Sequence, residues 1–363
     1  MISAKLYLPI YIFIVTIFTY ATMIRYKPRI LLFRHLNTSN KSTAIFLTFF
    51  LIFFIGFRPI SGEFDDMGVY DEYYSVLLGT RFYFDWNATN IIFDNLLNFF
   101  ASNYYPIDYF FFTICALDFG FLYWACAKLF PNDTLLAFVV YLAGFITFAN
   151  ATNGIKAGAA SSAFLVALAY RNNKPLSILM ILISYGLHHS MILPICAYIV
   201  TIYAMKRKID RKYYLYFWFF CFAMAALHIT FFQNLLAGQT DAQGARYLSA
   251  KGEDLVVSGF RPDFILYSVI PIFLGYYIEK TYKLKSKFFN CIWCTYTLSN
   301  AMWLLCTYAA YTNRIAALSW FIYPILLIYP FLLYKRNLLF NQFLHYSVYG
   351  HLGFFLFMNI IYY

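Results

Sequence analysis

The chain has 363 residues, 62% hydrophobic and 23% aromatic but only 12% charged, with a formal net charge of +11. A soluble domain carries about a quarter charged residues, so this composition excludes an ordinary globular protein. The basic residues sit in short clusters between apolar runs, a pattern that reports membrane topology and leaves nucleic acid out of the expected partners.

Apolar runs long enough to cross a hydrocarbon core of ~30 Å recur along the whole chain. The first, residues 6–24, has no small-residue cleavage site before the basic segment that follows and reads as a membrane helix. The next linker carries Arg25, Lys27, Arg29, Arg34 and Lys41 without an acidic residue. Positive linkers stay in the cytoplasm, which places the N-terminus outside. A second span, residues 43–57, returns to the outer side. There the chain enters an extracytoplasmic loop, residues 58–105, whose charges are mainly acidic. Two stretches with mixed faces, 67–78 and 91–100, read as short helices lying in the interface.

Spans follow at 107–129, 134–148 and 153–170. The last opens Gly154-Ile-Lys-Ala-Gly158 and continues with Ala159, Ala160, Ser161 and Ser162. Small residues at this spacing let a neighbouring helix approach closely. Arg171 and Lys174 mark the inner side, and so does the basic linker 206–212. The chain between them therefore leaves and returns in two short helices, 175–187 and 191–205. Two thin spans and a half-depth hairpin fit equally well, and His188-His189 falls at the outer junction. Further spans occupy 213–235, 263–282 and 288–308, then a stretch leading to Lys335-Arg336, then 338–362. A second extracytoplasmic loop covers 237–261, and a tight outer turn holds Tyr311, Asn313 and Arg314. The expected fold is a single all-α polytopic membrane domain, residues 1–363, with about 11 to 12 membrane helices, some short or re-entrant.

Under this topology most of the 27 Lys and Arg lie inside and most of the 16 Asp and Glu outside. No internal repeat of the kind that marks duplicated transporter halves is visible. Cys291 and Cys294 form a C-x-x-C, but inside an apolar helix with Trp293 between them, where they read as small apolar fillers.

The unusual polar groups gather on the outer face. Arg58, Lys156, Arg246, Arg261 and Arg314 oppose the usual charge bias there, and an arginine fork or a lysine suits phosphate oxygens. Each could instead be a snorkelling surface residue. Asp66, with Tyr70 one helical turn beyond, is either part of a solvated acidic loop or a carboxylate that binds sugar hydroxyls or accepts a proton. Asn153 and Lys156 share a helix face. His188, His189 and Ser190 close a short helix; the pair is either a hydrogen-bonded junction or a source of a general base, for which imidazole suits neutral pH. No third ligand stands at metal spacing, so no metal site is expected.

In this order, the Arg58…Asp66…Tyr70 set after the second span, Asn153-x-x-Lys156 at the head of a small-residue helix, His188-x-Ser190 and the late Arg314 resemble the EpsG family. Arg261 of Phe-Arg-Pro-Asp-Phe is a weaker match, and the resemblance runs over roughly residues 58–330. That family groups with Wzy-type O-antigen and exopolysaccharide polymerases of bacterial inner membranes. One departure is visible: the family helix opens N-x-x-R-Q, whereas this chain has Lys156-Ala157. A lysine meets phosphate as a point charge without the bidentate fork.

The resemblance implies a glycosyltransferase facing the periplasm, with GT-C-like architecture among its expected forms. Its substrate would be an undecaprenyl-diphosphate-linked oligosaccharide, and no cofactor is expected. His188, His189 and Asp66 are the candidates for catalysis. Arg58, Tyr70, Asn153, Lys156, Ser190, Arg246, Arg261, Tyr311 and Arg314 are the candidates for binding the diphosphate and sugars. Membrane lipid is an expected partner, and a chain-length regulator is a conceivable one. Two other readings stay open on the residues: a membrane O-acyltransferase of surface polysaccharide, which would also bury a histidine, and a flippase for the lipid-linked unit. For transport, Asp118 is the main charged residue deep in a span.

Overall fold

The computed structural model describes residues 2–26, 40–233, 259–333 and 337–362, and every regular element among them is helical. Arg246, Lys251 and Lys335-Arg336 lie outside the described residues. The helices fall into two compact units, Met1–Met191 with Phe331–Tyr363 and Ile192–Pro330.

The first unit contains α1 (Tyr7–Met23), α2 (Lys41–Gly56), α3 (Asp65–Leu77), α4 (Ile91–Ser102), α5 (Ile107–Leu129), α6 (Thr134–Leu142), α7 (Thr147–Thr152), α8 (Ile155–Ala169) and α9 (Lys174–Leu187), and later α16 (Leu338–Phe357). The small-residue helix α8 is its axis: α5 and α9 pack on it more extensively than any other pair in the unit, and residues 158–169 are buried throughout. The close approach has a side-chain cause. A Cβ on Gly158 would stand 2.7 Å from Asp118 Oδ2, and one turn later Ser162 Oγ donates to Asp118 Oδ1 at 2.5 Å. The lone carboxylate deep in α5 is thus fastened to α8. On its other side, α9 is tied by Ser184 Oγ donating to Ala160 O at 2.7 Å and Ser177 Oγ to Ala167 O at 2.9 Å. Asn173 caps α9, accepting from Leu176 N, with Pro175 in the first turn where its missing N–H is not needed.

The second unit contains α10 (Ile192–Lys206), α11 (Lys212–Ala226), α12 (Pro262–Tyr282), α13 (Lys287–Leu305), α14 (Thr312–Trp320) and most of α15 (Tyr323–Leu333). Here α13 is the axis, packed by α10, α11, α12 and α14. Cys291 and Cys294 are buried within it. Trp293 Nε1 donates to Ile272 O at 3.0 Å across the gap that Gly275 leaves open. Arg211 forms an ion pair with Glu279 and donates to Asn290 Oδ1 at 2.9 Å.

Among the described residues, four stretches are long and apolar enough to cross a membrane: Ala4–Tyr26, Ile107–Leu129, His189–Lys206 and Thr312–Leu333. Shorter apolar helices accompany them, among them Lys41–Gly56, Ile155–Ala169 and Lys174–Leu187. Large apolar side chains face outward on these elements and on α12, for example Phe13, Phe46 and Leu266, each more than 60% exposed. An all-helical chain with apolar outer faces is a polytopic membrane protein, because only intrasegment hydrogen bonding satisfies a backbone in hydrocarbon.

Two expected spans are interrupted. Residues 134–148 divide into α6 and the start of α7 around Ala143–Ile146, where Thr147 Oγ1 folds back to Tyr141 O at 2.6 Å. The stretch leading to Lys335-Arg336 breaks between α14 and α15, and Pro324 sits in the first turn of α15. Of the 175–205 pair, α9 has 14 residues and rises only about 21 Å, whereas the His189–Lys206 stretch has 18 and rises about 27 Å.

Candidate active site at one end of the first unit

The short helices α3 and α4 meet each other and the start of α5 through a block of aromatic rings. Tyr70 of α3 lies 5.5 Å from Phe93 of α4 and 6.5 Å from Phe111 of α5, centroid to centroid. Two cations contact rings of this block. Lys156 Nζ stands 4.9 Å from the Phe93 ring centroid and 5.5 Å from that of Tyr70. The Arg58 guanidinium lies 5.2 Å from Phe111 and 5.6 Å from Phe64. Ring faces attract cations by their quadrupole, more so where water is excluded.

Arg58 follows directly on α2 and is 1% exposed. Its Nη1 donates to Ile55 O at 2.9 Å and its Nη2 to Thr152 O at 2.8 Å, carbonyls in the last turns of α2 and α7. Burial pulls its pKa down to about 10, so it keeps its charge at neutral pH. Lys156 is the second residue of α8. A helix N-terminus carries partial positive charge from its unpaired N–H groups, so a lysine there concentrates positive potential rather than offsetting it. The resident counter-charge is Asp94 of α4, whose Oδ1 is 3.7 Å from Lys156 Nζ. Just before α8, Asn153 ends α7, and its Oδ1 is buried with no hydrogen-bond partner among the described residues. Asp66 is half-buried in the first turn of α3, one turn before Tyr70 and on the same face.

The histidine pair reaches the same corner because the C-terminal end of α9 packs on the N-terminal end of α4. Gly186 permits it: a Cβ there would meet Ile92 Cδ1 at 2.7 Å. His188 then leaves the helix in extended conformation, and His189, Ser190 and Met191 form a single 3-10 turn. The rings of His188 and His189 are edge to face, 5.7 Å between centroids. His189 is held by Asn90, the residue before α4: Asn90 Oδ1 is 3.1 Å from the His189 backbone N and 3.3 Å from Nδ1. The Asn90 backbone N–H in turn donates to Asp94 Oδ2 at 2.9 Å. One connected path therefore runs Lys156–Asp94–Asn90–His189.

The remaining described candidates lie in the second unit. Arg261 precedes α12 and is held in a fork by Asp263, with Nε 2.9 Å from Oδ1 and Nη2 2.6 Å from Oδ2, its plane 4.1 Å over the Phe264 ring. Tyr311 adopts a left-handed conformation at the head of α14 (φ 54°). Arg314, one turn on, is exposed and stacks 4.8 Å over its ring. Trp303 joins these two places, with its ring 6.5 Å from Phe264 and its Nε1 donating to Thr312 Oγ1 at 2.8 Å. Arg261 and the Tyr311–Arg314 turn thus share one end of this unit.

Residues 41–363 match the EpsG family over most of the chain. The chain belongs to the EpsG family. No curated protein and no solved structure matches it. EpsG membership carries a polysaccharide-polymerase type of role, and the corner described above is where the first unit of this EpsG chain concentrates cations, imidazoles, a carboxylate and aromatic faces.

Asn90, Asp94 and the rings of Phe64, Phe93 and Phe111 in that corner were not among the sequence candidates. Asn90 before an apolar run reads as a helix cap and Asp94 as one more acidic loop charge. Neither reading signals a contact with residues about 60 to 100 positions away in the chain, such as the 99-residue separation of Asn90 and His189.

Proposed function

We propose that this EpsG-family chain is an O-antigen or exopolysaccharide polymerase working at the periplasmic face of the bacterial inner membrane. A hydroxyl of one lipid-linked repeat unit would attack the anomeric carbon of a glycan carried on undecaprenyl diphosphate. The new glycosidic C–O bond forms as the C–O bond to the diphosphate breaks. The hydroxyl proton passes to a base, and the diphosphate departs with the electron pair.

The observation that carries this reading is the convergence of Lys156, Arg58 and the N-terminus of α8 on the Tyr70–Phe93–Phe111 block, beside the His188–His189 turn. A leaving diphosphate requires pre-placed positive charge. Lys156 meets it as a point charge in place of Asp94, and Arg58 adds potential from beneath while its fork holds helix ends. Asn153 Oδ1 and Asp66 offer acceptors to sugar hydroxyls, Ser190 lies beside the imidazoles, and Tyr70 gives a face on which a sugar ring stacks. Arg261, Tyr311 and Arg314 are proposed to bind diphosphate or glycan from the second unit.

The test is a gene deletion with lipid-linked intermediates localised by leaflet, together with polysaccharide ladders from single alanine variants. Single repeat units on undecaprenyl diphosphate are expected to accumulate on the outer leaflet, with loss of long polymer in Lys156→Ala and in His188→Ala or His189→Ala. Intermediates trapped on the inner leaflet would point to transport and overturn the reading. Normal polymer from both the His188 and the Arg314 variants at normal protein level would remove those residues from it.

A further inference from the structure

The side chain of Asn90 has an unusual assignment. Asparagine before a helix ordinarily accepts a hydrogen bond from the first turn of its own helix. Here it makes no such cap bond, although it is 6% exposed. Its oxygen instead accepts twice from His189, at 3.1 Å from the backbone N and 3.3 Å from Nδ1.

These two contacts fix a proton. A backbone N–H can only donate, so the Asn90 atom facing it must be the carbonyl oxygen and not the amide nitrogen. The same oxygen faces His189 Nδ1 and can only accept, so Nδ1 carries the ring proton. In the neutral imidazole the lone pair then resides on Nε2. Asp94 completes the support: its Oδ2 takes the Asn90 backbone N–H at 2.9 Å while its Oδ1 stays 3.7 Å from Lys156 Nζ. The carboxylate that neighbours the cation also anchors the backbone of the residue that orients the imidazole.

We infer that Asn90 is a positioning residue that locks His189 in the Nδ1–H tautomer, making His189 Nε2 the atom that takes the acceptor hydroxyl proton, with Asp94 holding Asn90 in place. The inference rests on the polymerase reading for the identity of the hydroxyl, and on geometry alone for the tautomer. In the reaction, the proton moves from the sugar oxygen to Nε2 as that oxygen bonds to the anomeric carbon and the diphosphate leaves. A carbonyl that accepts from one ring nitrogen sets which nitrogen keeps the lone pair.

The tautomer is read without substrate, by nitrogen NMR of the full chain in nanodiscs with ring-labelled histidine; His189→Gln identifies the signal. A protonated Nδ1 and an unprotonated Nε2 are expected at His189 in the wild type, and a mixture of tautomers in Asn90→Leu. The same preparations are assayed for polymerisation of lipid-linked repeat units. Asn90→Leu is expected to lower kcat by about 10- to 100-fold with KM little changed, a part of the roughly 100- to 10,000-fold that general-base catalysis commands.

Asn90→Asp keeps both acceptor contacts and adds a negative charge beside the ring. Asn90 and His188 stand against that ring, with Asp94 one hydrogen bond behind Asn90 and Lys156 beyond it. The added carboxylate favours the imidazolium, so Asn90→Asp is expected to retain most activity at high pH and to move the acid limb of kcat to higher pH. A wild-type His189 protonated on Nε2, or Asn90→Leu with wild-type kcat and an unchanged pH profile, overturns the inference. A wild-type chain with the expected tautomer that makes no polymer leaves the Asn90–His189 geometry standing and brings down the polymerase reading instead.

Discussion

Arg58 shows how one side chain serves both packing and charge. Its two terminal nitrogens donate to carbonyls at the ends of α2 and α7, residues 94 apart in the chain for the longer contact. Removing it strands two helix-end carbonyls in a buried place, at about 1–3 kcal/mol for each group left unsatisfied. Arg58→Ala is therefore expected to lower the thermal midpoint in detergent as well as polymer length. Arg58→Lys keeps a charge but cannot bridge two carbonyls in a fixed fork. It should regain part of the stability and little of the activity, measured by thermal unfolding and by ladder length. Wild-type stability in Arg58→Ala would refute the bridging role. The sequence marked Arg58 by its position against the charge bias, but nothing in it announced the partner Thr152. Asn90 was hidden for a related reason: local patterns assign an asparagine to the nearest helix start, and only tertiary contact reassigns its oxygen to His189.

Among the elements, α8 was the most legible. Its small residues at four-residue spacing called for a close neighbour, and α5 is that neighbour, with Gly158 against Asp118. Gly158→Ala would place a methyl 2.7 Å from Asp118 Oδ2 and 3.1 Å from the backbone oxygen of Asn150. Overpacking of this kind costs about 1–3 kcal/mol, and the shift would fall on the start of α8, where Lys156 sits. Gly120→Ala in α5 has nothing within 4 Å of the new methyl and replaces a poor helix former with a good one, a gain of up to about 1 kcal/mol. The pair should separate: Gly158→Ala less stable and less active, Gly120→Ala unchanged or more stable, by thermal unfolding of purified protein. Equal behaviour would refute the α5–α8 contact. Hydropathy was a poorer guide to continuity. It gave one span over 134–148 because an apolar window does not register a backbone turn, although Ala143-Gly144 lay in it. Pro324 was the available sign for the break before α15, since proline favours a helix's first turn.

At the scale of the whole molecule, the proposed chemistry depends on which side of the membrane each end faces. The stretch His189–Lys206 is long and apolar enough to cross a membrane, rising about 27 Å, so the proposed topology sets the imidazole turn and the basic residues 206–208 at opposite faces. Lys and Arg favour the cytoplasmic side, so the proposed reading has His189, and with it α3 and α4, face the periplasm. Six of the seven cysteines are buried and Cys196 is exposed, so Cys196→Ser gives a background suited to labelling. On it, Trp86→Cys, at a position 77% exposed between α3 and α4, is expected to react with a membrane-impermeant maleimide in spheroplasts. Lys208→Cys, exposed beyond the end of α10, is expected to react only after permeabilisation. The reverse pattern would put the lysine, the imidazoles and Asn90 in the cytoplasm. A periplasmic polymerase could not then use them, and a reaction fed by cytoplasmic acyl donors would take its place.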